Sequence, residues 1–85
     1  MYYEIVLDYD CNNSSREREE RVNRFINRHD ANGIGVIRGE RWMLKLRFAG
    51  YGDMRKGDLE NELGVEVVSM KLLDMEEQKT MHTLF

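Results

Sequence analysis

Eighty-five residues, of which 41% are apolar and 34% charged, suffice for one modest core and exclude a second domain. A formal charge of −3 is too small for a dense acidic nucleic-acid mimic and exerts no global pull on polyanions. The lone Cys11 rules out an internal disulfide or a cysteine-rich zinc cluster.

No apolar run approaches the roughly 20 residues that span a bilayer. The opening Met-Tyr-Tyr-Glu has neither a basic start nor an apolar stretch of signal type, so a cytoplasmic protein without membrane contact is expected.

The first strand is expected over residues 2–9, where Tyr3, Ile5, Leu7 and Tyr9 alternate onto one face and Tyr2, Glu4, Val6 and Asp8 onto the other. Asp10, Asn12 and Asn13 then supply turn chemistry. Ser14 and Glu17 have the spacing of a capping box, which opens a helix running to Arg28 or His29. Val22, Phe25, Ile26 and His29 form its narrow packing stripe, and Asn32-Gly33 supplies its stop.

Residues 34–38 and 41–49 are expected to form a hairpin around Gly39-Glu40, with glycine first in a type II′ turn. That loop sets Arg38 opposite Arg41, Ile37 opposite Trp42 and Gly35 opposite Leu44. Trp42, Leu44, Leu46 and Phe48 then point to the core, Met43, Lys45 and Arg47 point away, and Gly35 leaves room for a helix. Residues 54–63 predict the second helix, starting as late as Asp58 because Gly57 is a poor helix former. After Gly64, residues 65–74 predict a final strand with Val68, Met70 and Leu72 facing inward.

The order strand, helix, strand, strand, helix, strand favours an α+β, ferredoxin-like sandwich: sheet order 4-1-3-2, both helices on one face. Residues 1–75 would form this single domain and residues 76–85 a polar tail. The final strand would lie at an edge with little charge to discourage pairing. Val65, Val67 and Ser69, with Met43 on the open face, are therefore candidates for a homodimer interface.

Chemistry-bearing residues are sparse. His29 suits the dipole at the end of its helix, and Cys11 has no evident base beside it. Asp8 and Asp10, two apart at the end of the first strand, are candidate ligands for Mg²⁺. The run Tyr2 to Asp10 followed by an Arg-rich helix resembles the opening of the Cas2 family of small ferredoxin-like proteins. The resemblance covers about the first third of the chain and implies a metal-dependent nuclease using Asp8 or Asp10. The element order is similar to that of RRM domains, although the aromatic RNP pattern is missing.

Arginine is well matched to phosphate because its planar fork bonds bidentately. Arg21, Arg24 and Arg28 lie at helical spacing on one stripe; Arg38, Lys45, Arg47 and Lys71 share the sheet, with Arg55 and Lys56 nearby in the chain. The leading expectation is a non-enzymatic, dimeric binding protein that needs no cofactor. It would engage RNA or a host protein or ribonucleoprotein through these cations, as a phage-type inhibitor of a host defence factor does. The alternatives are the nuclease and a protein-only inhibitor or adaptor that uses the sheet face and edge.

Overall fold

The computed structural model describes residues 1–73. The elements run β1 (Tyr2–Leu7), α1 (Arg16–His29), β2 (Asn32–Arg38), β3 (Arg41–Ala49), α2 (Lys56–Leu63) and β4 (Val67–Leu72). The strands make one four-stranded antiparallel sheet in the order β2-β3-β1-β4. This α+β arrangement is compatible with a ferredoxin-like fold. Asp74 and the tail lie outside the described residues.

Strand parity follows the alternation in the sequence. Tyr3, Ile5, Leu7, Tyr9, Leu46 and Phe48 are buried in one cluster with Val22 and Phe25 of α1 and Leu59 and Leu63 of α2. The rings of Phe25 and Phe48 meet edge to face, with centroids 5.1 Å apart. That geometry suits opposed aromatic quadrupoles. His29 lies against both phenyl rings, 4.4 and 5.4 Å from their centroids. Its side chain is 7% exposed, and neither ring nitrogen has a hydrogen-bond partner among the described residues. His29 therefore serves chiefly as an aromatic filler.

The helix ends differ from expectation by a residue or two. Ser15, not Ser14, caps α1, its side chain accepting the Arg18 N–H. The third helical position then falls on Arg18, so the Ser14–Glu17 box does not form. The helix stops at Asp30, which takes the left-handed conformation (φ 49°), while Asn32 and Gly33 already belong to β2. Helix α2 starts at Lys56 and keeps Gly57; Met54 precedes it. Gly50 is required in the loop before α2, because a Cβ there would stand 2.5 Å from both the Tyr3 ring and the Met54 sulfur.

The β2–β3 register matches the expected pairing of Arg38 with Arg41, Ile37 with Trp42 and Gly35 with Leu44. Positive φ at Gly39 but not at Glu40 fits a type II′ turn. Two expectations for this hairpin fail. Trp42 has the parity of the core face but is 48% exposed, because the hairpin reaches past the end of the helix layer. The space above Gly35 is taken by the Trp42 ring, 3.6 Å from where a Cβ would sit, rather than by a helix.

The last strand also departs from expectation. The β1–β4 register slips between Val6 and Leu7, so Leu7 pairs with Val67 while Val6 pairs with Ser69. An extra residue on one strand reverses parity beyond it. Val67 is consequently fully buried, and Val68, expected to face inward, is the residue left without a β1 partner. Met70, opposite Ile5, packs against the core as expected, whereas Leu72 has core-face parity opposite Tyr3 but is exposed.

Candidate functional site

The sheet face turned away from the helices is organised around Glu4. Its carboxylate sits on the central strand β1, opposite Arg47 on one side and Lys71 on the other. Arg47 places Nε 2.9 Å and Nη2 2.8 Å from Glu4 Oε2, and Lys45 and Lys71 each bring Nζ to 4.0 Å from Oε1. Only 8% of Glu4 is exposed. A carboxylate this sheltered needs compensating charge, and here three cations supply it. The expected sheet patch of Lys45, Arg47 and Lys71 is thus gathered in space, but around an internal anion.

The helical arginines separate. Arg21 turns to the end of α2, donating from Nε to the Glu62 carbonyl at 3.2 Å and from Nη2 to the Asn61 carbonyl. A cation there satisfies orphan carbonyls and complements the negative pole of the helix. Its guanidinium stands where a side chain on Gly64 would be. Arg28 pairs with Glu62 at 2.7 Å. Arg24, Arg38, Arg55 and Lys56 are exposed, with no side-chain ion pair or hydrogen bond among the described residues. They lie on different elements and form no single stripe.

Asp8 and Asp10 do not share a strand face, since β1 ends at Leu7. Arg41 Nη2 donates to both carboxylate oxygens of Asp8, at 2.8 and 2.7 Å. This partner is the first residue of β3, four residues before Lys45. Asp10 Oδ1 accepts the Asn12 N–H at 2.9 Å, an Asx turn that starts the loop to α1. Both aspartates line an open cleft of about 320 Å³ with Asn13, Arg18, Glu40, Arg41 and Trp42. No group of three or more metal-ligating side chains is found among the described residues.

The predicted interface residues fall in unlike places. Val65 and Val67 are core residues, so neither is available to a partner. Ser69 and Met43 are half-buried on the face away from the helices. Three exposed apolar side chains lie together at the opposite edge, while Met1, Tyr51 and Leu72 are exposed elsewhere. Ile37 is 58% exposed beside Trp42, Ile34 is exposed on the other side of β2, and Val36 pairs with Met43 there. Next to Trp42, a cavity of about 120 Å³ is lined by Tyr9, Cys11, Gly35 and Leu44 among others. The sequence carried the alternation that puts Ile37 and Trp42 together. It carried no signal for where helix cover stops.

No protein-family model matches the chain, no curated protein matches it, and no solved structure matches it.

Proposed function

We propose that this chain is a small non-enzymatic binding protein, ferredoxin-like in fold, that holds a protein partner with the apolar side of the β2–β3 hairpin. One observation carries the reading: Ile37 and Trp42 face each other across the hairpin, beyond the helix layer, and both remain about half exposed. Tryptophan in such a position supplies a large rigid contact area at small entropic cost, and tryptophan is enriched among residues that dominate binding energy. A phage-type inhibitor of a host defence factor, which works by occupying a surface, is a setting that suits such a module.

A second reading is a ribonucleoprotein partner, with RNA phosphates contacted by arginines. It is favoured by Arg18, Arg24, Arg38, Arg55 and Lys56, whose side chains have no ion pair or hydrogen bond among the described residues. Arg18 lines the cleft that Trp42 also lines. The Cas2-like nuclease ranks below both, because Arg41 engages Asp8 and the Asx turn engages Asp10.

Co-purification of the wild type, Trp42→Ala and Ile37→Asp in low and high salt separates these readings. A protein contact through the hairpin resists salt and is lost in both variants. Binding through phosphate falls steeply with salt and survives Ile37→Asp. A partner retained by both variants in high salt rules out the hairpin as the binding surface.

A further inference from the structure

We infer that the free edge of β2 pairs antiparallel with β2 of a second copy, with Gly35 on the two-fold axis, so that the two Trp42 rings share one platform. The dimer stands apart from the identity of any other partner.

A two-residue loop makes Arg38–Arg41 a hydrogen-bonded pair, so the even-numbered residues of β2 direct their N–H and C=O groups to β3. Gly33, Gly35 and Ile37 therefore direct theirs to the free edge. An edge of this kind is normally guarded by a bulge, a proline, an inward charge or a covering element. β2 has seven residues, neither proline nor bulge, and a single charge at its last position. Among the elements described, only β3 lies along it. Glycines within a strand also permit close approach by another backbone.

Self-pairing fits the side chains. With Gly35 opposite Gly35, Ile34 of one copy meets Val36 of the other, Asn32 meets Arg38, and Gly33 meets Ile37. All seven residues find a partner, two β-branched pairs form, and no like charges oppose. A register with Arg38 opposite Arg38 would lose most of the strand and set two cations together. The arrangement is isologous, as a closed two-fold dimer requires.

The consequence lies on the helix side. Each Trp42 ring rests over its own Gly35, with Cζ3 and Cε3 3.6 and 3.7 Å from the missing Cβ position. Placing two Gly35 residues on the axis makes a floor without side chains between the two rings. The platform is complete only in the dimer.

The test combines light scattering with directed cross-linking. The wild type is expected to be dimeric at about 100 μM, well above a Kd of about 1 μM. Gly35→Pro removes an outward donor while leaving the β2–β3 ladder intact, and is expected to give a monomer with unchanged circular dichroism. In a Cys11→Ser background, Ile34→Cys/Val36→Cys is expected to form a 34-to-36 disulfide between copies in at least tenfold higher yield than Ser69→Cys on β4. If Gly35→Pro fails to fold, the cross-link alone decides. A wild type monomeric at that concentration, or cross-linking no better from β2 than from β4, overturns the inference.

Discussion

The two edges of this sheet are built to opposite ends. β4 is irregular, its register slipping opposite Val6 and Leu7, and its first residue is buried. The Glu60 carboxylate of α2 accepts the Val67 N–H at 2.9 Å, so a helix side chain occupies a donor that would otherwise face outward. α2 also packs along β4, sending Leu59 and Leu63 into the shared core. β2 is longer and regular, has no helix along it, and leaves Ile34 and Ile37 in contact with solvent. The lesson is that exposure here follows cover rather than composition. Both strands are rich in β-branched residues, but only one has a helix to bury them.

Four substitutions test that contrast. Leu63→Ala should be the most damaging, because it opens a cavity beneath the covered edge; a loss of about 2–5 kcal/mol is expected in urea unfolding. Glu4→Gln leaves Arg47, Lys45 and Lys71 around a neutral group. Breaking so sheltered a cluster should cost about 3 kcal/mol, less than a fully buried pair because Lys71 keeps solvent contact. Thermal unfolding followed by circular dichroism reads this directly.

Glu60→Ala strips the cap from β4 and should cost about 1–2 kcal/mol, with faster amide exchange at Val67 as its specific mark. At the open edge the expectation reverses. Ile37→Ser should change monomer stability by no more than about 0.5 kcal/mol, since that side chain has little burial to lose. A large loss at Ile37, or a negligible one at Leu63, would remove the distinction between the edges.

Much of the architecture was legible in the residues. Alternation in Tyr3, Ile5, Leu7 and Tyr9 named the buried face of β1, and Gly39-Glu40 fixed the hairpin register to the residue. Those signals are local and periodic, so they survive into the folded state. What was not legible was non-local. The parity of Trp42 was right, but periodicity says which face a side chain takes and nothing of how far the opposite layer extends. One bulge on β4 turned Val67 from a candidate interface residue into core.

The candidate site is less legible in the residues for the same reason. Spacing on a helix placed Arg21, Arg24 and Arg28 on one stripe, whereas the carbonyls that claim Arg21 belong to α2, some forty residues away. Cross-strand register, by contrast, sets Glu4 directly opposite Arg47 and beside Lys45. Asp8 found Arg41 instead, since the strand ends before it and its carboxylate reaches along the sheet.

The first amide of β4 is held by the Glu60 carboxylate, whereas β2 offers a longer and uncapped backbone edge. Hydrogen exchange at the amides of Gly33, Gly35 and Ile37, followed over a dilution series, tests it most directly. Slow exchange is expected in concentrated solution, becoming fast on dilution, while the amides of Val36 and Arg38, bonded to β3, stay protected throughout. Exchange at Gly33, Gly35 and Ile37 that is equally slow at every dilution would mean that the edge is already covered within one chain. Exchange that is fast at every concentration would mean that no second strand pairs with it. Either result would mean that β2 does not pair with a second copy.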